Sequence, residues 1–292
     1  MSKLLFLVAA SCLAVLISVS NVSSALAQVP LRQQLAEKFQ AELTRLAGAS
    51  KSVVGISVVD VTDSQRFGVN ETLAFAQGSA IKIPILFELF RQADAGDLRL
   101  RDRVTLRSSD RVGGSGLLRH FADGDTELSL RDLAIPMIAL SDNMATNVLI
   151  DRLGMERVSR TMAELGASHT KLQRKMITPE ESVKGNENIS TPREAADLMV
   201  RLAKCQLPMT SASCSEVARI LEIFKPGAFR EPIPDTISVA WKPGGLEGVV
   251  TAWGLVRVPG RPYAIAIMVN YGAADMGETV RQISSATYSY FS

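Results

Sequence analysis

Strand-forming sequence lies at the two ends of this chain and almost nowhere between them. Near the start, residues 52–61 read Ser-Val-Val-Gly-Ile-Ser-Val-Val-Asp-Val, a β-branched run closed by Thr62-Asp63-Ser64, and a short second strand includes Arg66-Phe67-Gly68. Near the other end stand Ile237 to Trp241, Val249 to Val256 and Tyr263 to Asn270, separated by the glycine turn at 244–245 and by Pro259-Gly260-Arg261-Pro262. Residues 79–224 read as helices and loops, with helices at 129–139, 142–153, 155–165, 192–204 and 214–224. Isolated strands cannot bury their apolar faces, so the two end groups have to meet in one sheet.

The expected fold class is therefore α/β in the α+β sense: an antiparallel sheet of about five strands drawn from both chain ends, with an all-helical lobe inserted between its strands. The sheet lobe covers about 28–75 and 226–292, and the helical lobe about 76–225. Leu31, Leu35, Phe39, Leu43 and Leu46 form the stripe of an amphipathic helix, and a second stretch from about 275 to 290 returns to the sheet. Trp241 and Trp253 read as core on their strands. Residues 172–188 show neither a period of 2 nor one of 3.6, and a loop of that length inside a compact domain is usually functional.

The first 27 residues stand apart. Lys3 is followed by an uncharged run from Leu4 to Val19 and then by Ala25-Leu26-Ala27, the pattern of a secretory signal cleaved after Ala27. That run is 16 residues, shorter than the roughly 20 a membrane-spanning helix needs, and Cys12 lacks the leucine of a lipoprotein box. Export to the periplasm or the exterior is the expectation. Without the signal, the 32 basic residues fall by Lys3 to 31 against 30 acidic ones, and no basic stripe interleaved with aromatics points to nucleic acid. His120 and His169 are too distant in sequence to suggest a local metal site. In an oxidising compartment Cys205 and Cys214 form either a short-loop disulfide or a free buried pair.

Chemistry enters with Ala76-Gln-Gly-Ser-Ala-Ile-Lys-Ile-Pro-Ile-Leu86, which places an ammonium, Lys82, at the head of a run suited to burial. On a helix beginning at Ser79, residues 79 and 82 share a face. Lys82 then either snorkels to water or takes the proton of Ser79. Two further motifs follow in order, Ser141-Asp142-Asn143 before a helix and Lys242-Pro243-Gly244 at a strand end. Each has a plainer reading: Ser141 and Asp142 as helix caps, Asn143 as a buried amide, Gly244-Gly245 as a tight turn. A serine hydroxyl, however, is a poor nucleophile until a nearby base removes its proton. A lysine with its ordinary pKa of about 10.4 becomes such a base when burial and a second cation, such as Lys242, depress that value.

Taken together, Ser-x-x-Lys, Ser-Asp-Asn and Lys-x-Gly in this order resemble the serine β-lactamases and penicillin-binding proteins. Within that superfamily the chain is most similar to the class A β-lactamase group, because the irregular loop lies between Ser-Asp-Asn and the Ser190-Thr191-Pro192 that opens the next helix. The resemblance covers essentially the whole mature chain. It implies Ser79 as acyl-accepting nucleophile, Lys82 as its base, Ser141 as proton relay to the leaving nitrogen, and Asn143, Lys242, Gly244 and Gly245 as substrate-binding positions. The N–H groups of Ser79 and Gly245 would form the oxyanion hole. It further implies a monomer that opens β-lactams without cofactor or metal. The alternatives are a D-Ala-type peptidase or other small amide or ester hydrolase, and a noncatalytic binding protein on the same fold.

The chain departs from the family pattern at four places. Pro243 replaces the usual hydroxyl residue and offers neither O–H nor N–H. No arginine occurs on 249–256, leaving Thr251 as the substitute before Arg257. The family's loop glutamate follows its arginine closely, whereas here Arg174 is followed by Lys175 and Met176, with Glu180 and then Glu181 as the nearest acids. Glu180 or Glu181 activates water for release of the ester if a different loop path brings it to the site; if neither reaches, the protein traps acyl groups like a penicillin-binding protein, and both acids are then solvated surface residues. Asn188 stands where an aspartate would face Arg174, with Glu187 beside it to compensate. The stretch Arg111-Val-Gly-Gly-Ser-Gly-Leu117 reads as a rim loop of the cleft.

Overall fold

The computed structural model describes residues 30–121, 124–272 and 275–292; the signal expected at 1–27 lies outside the described residues. Helix α1 (Leu31–Ala49) leads into β1 (Val53–Asp60) and β2 (Arg66–Val69), and the C-terminal third supplies β7 (Val239–Leu246), β8 (Val249–Val256), β9 (Tyr263–Asn270) and α9 (Met276–Phe291). These strands form one five-stranded antiparallel sheet in the order β2-β1-β9-β8-β7. The last strand thus lies between the first and the eighth, pairing Ile56 with Ile267 on one side and Trp253 with Ala266 on the other.

Alternation along the strands divides the interior. On one face Ile56, Val58, Trp241, Ile265 and Ile267 pack under α1 and α9, where Phe39 stacks on Tyr290 with ring centroids 4.3 Å apart. On the other, Ala240, Trp253, Leu255, Ala266 and Met268 join the helical lobe. Both tryptophans are core, as expected. The centre of that lobe is α2 (Lys82–Asp94), whose residues Ile83 to Phe90 are all buried, so it has no solvent face. Its one acid in that run, Glu88, is bonded to Arg91, Gln92 and Thr161 at 2.7–2.8 Å.

Around α2 stand α3 (Leu130–Ala139), α4 (Asn143–Leu153), α5 (Met155–Glu164), α7 (Pro192–Ala203) and α8 (Ser211–Glu222). Four of these begin on a residue whose side chain accepts a bond from the first turn: Ser129, Asp142, Thr191 and Thr210. Two small ladders complete the lobe, β3 (Phe75–Ala76) with β6 (Ile189–Ser190) and β4 (Arg103–Thr105) with β5 (Glu127–Ser129). A five-residue helix α6 (Pro179–Val183) interrupts the long loop. Cys205 and Cys214 are bonded as a disulfide, with Cα atoms 5.8 Å apart, joining the end of α7 to α8.

Two local expectations change. The helix expected to begin at Ser79 begins at Lys82, and residues Gly78–Ile81 form a 3-10 turn. Pro84 has no N–H to give the Ala80 carbonyl, so an α-helical turn there lacks one of its bonds. The glycine pair 244–245 is not a turn: β7 runs through it to Leu246, and the hairpin closes at Glu247-Gly248, where Gly248 has φ 68°.

Candidate active site

Ser79 sits half-buried in the 3-10 turn, and that turn is pressed against β7. The approach requires glycine on the strand side, since a Cβ at Gly244 would meet the Gln77 carbonyl, Thr251 Oγ1 and Ala80 N. Gln77 fixes the turn from beneath. Its amide donates to Phe75 O at 2.8 Å, its side-chain oxygen accepts from Trp253 Nε1 at 2.8 Å, and its carbonyl accepts from Thr251 Oγ1 at 2.8 Å. Nothing in the sequence distinguishes this glutamine, although it precedes Gly78-Ser79 directly.

Lys82, the first residue of α2, is wholly buried. Its ammonium donates to Ser141 O at 2.6 Å, Ser141 Oγ at 3.1 Å and Asn143 Oδ1 at 2.9 Å. Lys242, also wholly buried, donates to the same Ser141 Oγ at 3.0 Å and to Pro243 O at 2.9 Å. One hydroxyl therefore bridges two amines. The direct Ser79–Lys82 hydrogen bond expected from their spacing is not formed among the described residues, because the donors of Lys82 are directed at the Ser141 segment. Hydrogen bonds of this type commonly tighten only when substrate binds.

The Ser141 segment is held by its neighbours. Ser141 has φ 54°, a left-handed conformation that costs a non-glycine residue roughly 1–3 kcal/mol and persists only when its surroundings over-determine it. Asp142 supplies that constraint: one carboxylate oxygen caps α4 at Ala145 N, 2.9 Å, and the other accepts Leu117 N and Leu118 N at 2.6 and 2.8 Å. Asn143 donates from its amide to Gly113 O at 3.1 Å and from its backbone to Ser115 O at 3.0 Å. The rim loop expected at 111–117 is thereby attached to the motif.

Burial sets the electrostatics. Desolvation lowers the Lys82 pKa to about 7, opposed by the negative charge of Asp142. Lys242 is pushed well below the ordinary lysine range, first by burial and then by the charges of Lys82 and Lys225. Lys225 was not anticipated. It is buried between α8 and β7, donates to Leu221 O at 2.8 Å and to Ile223 O, and is lowered to about 8 by desolvation.

A cavity of about 620 Å³ opens beside Ser79, lined by Gly78, Gly114, Ser115, Asn143, the loop residues Arg174, Met176 and Ile177, and the strand end Gly245, Leu246 and Glu247. Glu180 and Glu181 are not in its wall. They occupy the first turn of α6, whose Pro179 and Ser182 do line the cavity: Glu180 is exposed, and Glu181 accepts from Lys184 Nζ at 2.7 Å and Asn186 Nδ2 at 2.8 Å. The position expected for a water-activating acid is thus taken by solvent-facing side chains. Met176 stands in the cavity wall instead, its backbone gripped at N and O by the Asn147 side chain at 2.8 and 3.2 Å.

The loop closes as the sequence suggested, through Glu187. Arg174 bonds both of its oxygens at 2.9–3.2 Å, and Ser182 Oγ donates to it at 2.8 Å. Asn188 clamps the backbone, accepting Gln173 N and Arg174 N at 2.7 and 3.0 Å and donating to Arg174 O at 3.1 Å. Thr251, expected to stand in for a missing arginine, is bonded to Gln77 O and 1% exposed, so its hydroxyl is not available to a ligand. Among the described residues no group of three or more His, Cys, Asp or Glu is placed to hold a metal.

A sheet made from both chain ends, an inserted helical lobe and a serine-lysine-serine-lysine cluster at their junction define an architecture of the class A β-lactamase kind. The family follows from comparison: residues 35–291 match the model of the β-lactamase enzyme family, and the chain belongs to that family. A β-lactamase of Rhodobacter capsulatus is 25% identical over 63% of this chain and 61% of its own length. β-Lactamase 1 of Streptomyces cacaoi is 32% identical over 49% of this chain and 47% of its own. The chain thus spans less than two thirds of either relative. Among solved structures, a β-lactamase from Sphaerobacter thermophilus superposes with a TM-score of 0.77 at 31% identity, covering 86% of this chain and 95% of that one. PBP-A does so at 0.80 and 25% identity, covering 87% and 96%.

Proposed function

We propose that this protein is a β-lactamase-like serine hydrolase in which the Ser79 hydroxyl attacks a β-lactam amide, forms an acyl-Ser79 ester and releases it to water. The observation that carries the reading is the Ser141 hydroxyl within 3.1 Å of both Lys82 and Lys242, beside the cavity that Ser79 borders. Lys82, with its pKa near 7, accepts the Ser79 proton in its neutral form. Ser141 passes a proton to the leaving nitrogen, and Lys242 holds Ser141 in line. The N–H groups of Ser79 and Gly245, both at the cavity wall, are the donors for the developing oxyanion. The chemistry needs no cofactor, and export as a monomer through the 1–27 signal belongs to the same proposal.

A second reading is favoured by Met176 and by the outward turn of Glu180 and Glu181. With Met176 in the wall and Glu187 paired to Arg174, the loop brings no unpaired carboxylate to the ester; deacylation is then slow, and the protein behaves as a penicillin-binding enzyme or D-Ala-type peptidase. A crystal structure of a mutant of the similar PBP-A is an acyl-enzyme complex with penicillin G. Incubation with nitrocefin and with penicillin G separates the readings. Continuing turnover supports the hydrolase, a single stoichiometric burst with a stable mass adduct supports the slow ester, and an adduct that persists in Ser79→Ala refutes both.

A further inference from the structure

The cavity beside Ser79 is one-sided in its chemistry. Resting on the reading of Ser79 as an acyl acceptor, we infer that this site selects its substrate by a bulky apolar acyl group and not by a carboxylate on the leaving side. Its substrate class is an ester or amide with an uncharged leaving flank.

The positions that would grasp a carboxylate are closed. Pro243 carries no hydroxyl and no N–H, and it is tolerated because β7 is the edge strand of the sheet. The Thr251 hydroxyl is committed to Gln77 O. Arg257, the first arginine beyond β8, is bonded to Glu222 at 2.9 Å away from the cavity wall. Arg174, the cation in that wall, is held by both oxygens of Glu187. Lys242 is buried with its amine on Ser141 and Pro243 O. Glu247, at the cavity rim, places a like charge where an anionic substrate enters.

Among the polar Thr178, Ser182, Glu187 and Asn188, the rest of the wall carries apolar side chains, two of them open to water. Ile177 is 48% exposed and Leu246 is 40% exposed, one from the loop and one from the strand end, with Met176 between loop and floor. Ile177 is β-branched yet has φ 58°, a left-handed conformation held by the Asn147 bonds to its neighbour Met176. A cavity of about 620 Å³ lies within the range that encloses small ligands, and an apolar group seated in it removes these side chains from water.

The test measures acylation of the full chain at Ser79 by four probes: penicillin G, its methyl ester, p-nitrophenyl phenylacetate and p-nitrophenyl acetate. The methyl ester is expected to acylate at least as fast as the free acid, and the phenylacetate to exceed the acetate by about 10–100-fold after correction for intrinsic reactivity. Leu246→Ser should cut that last ratio about tenfold. Pro243→Thr, which restores a donor, should shift the acid-to-ester ratio about tenfold towards the acid; Pro243→Ser repeats the test if the threonine variant loses reaction with the acetate. A wild-type rate for penicillin G about 100-fold above its methyl ester, or equal rates for the two nitrophenyl esters, overturns the inference while acylation itself stands. No Ser79-dependent adduct with any probe removes the acyl-acceptor reading and this inference with it.

Discussion

Beside the cavity, Lys82, Lys242 and the Ser141-Asp142-Asn143 segment come from three separate parts of the chain, and their side chains bond to one another within 3.1 Å. On the loop side, Arg174, Ser182, Glu187 and Asn188 bond back into the loop they belong to. The first group brings two buried amines to one hydroxyl, an arrangement that suits the proton transfer proposed at Ser79. The second is a clasp, and it presents Met176 and Ile177 to the cavity while its remaining acids face solvent. The two halves of the proposed acyl-serine cycle are therefore unequally equipped, the step that would form the ester more fully than the step that would break it.

Substitutions in each group sharpen that difference. The largest effect is expected from Lys82→Ala, which should slow acylation of Ser79 by about 10³-fold through loss of the base; adduct formation at a wild-type rate in this variant breaks the assignment of the first group. Next, Met176→Glu brings a carboxylate to the cavity and should accelerate ester release by about 10–100-fold with acylation little changed, read by single-turnover decay of the adduct. Glu187→Gln leaves Arg174, 8% exposed, without its charge partner, and should cost about 1–3 kcal/mol. The expected readout is a thermal midpoint lower by several degrees and new protease cuts within 174–188, with a smaller change in acylation.

The smallest effect concerns pH. Lys82 acts when neutral, so acylation should rise through about pH 7. Asp142 favours the charged lysine, so Asp142→Asn removes the opposing charge and lowers the Lys82 pKa further, its one carbonyl oxygen keeping the helix cap at Ala145 while the bonds from Leu117 N and Leu118 N are given up. The rising limb of the rate profile then moves to lower pH; a limb that stays put would mean that Lys82 is not the group titrating.

Strand placement and the three motifs were legible because each depends on local pattern: β-branched runs, serine-lysine spacing, and cap residues ahead of helices. The Cys205–Cys214 spacing admitted a bond, and the fold brought the two Cα atoms within reach. Gln77 and Asn147 were not legible, since a polar side chain that satisfies backbone groups across space leaves no period behind. The outward turn of Glu180 was hidden for a related reason. Its direction is set by Pro179 starting a short helix and by the Arg174–Glu187 clasp that fixes the loop path, and both are tertiary facts. The glycine pair in β7 misled because glycine marks close approach as readily as it marks a bend.

The position of β9 carries a consequence for synthesis. By the time residue 260 leaves the ribosome, Ser79, Lys82, Ser141 and Lys242 have all been made, yet the strand that joins β1 to β8 has not. Pairing across some 200 residues of chain is slow to find, so the proposed site around Ser79 stays unassembled until the final segment threads into the gap. A nascent or C-terminally clipped chain then holds every reactive side chain without the scaffold that aims them.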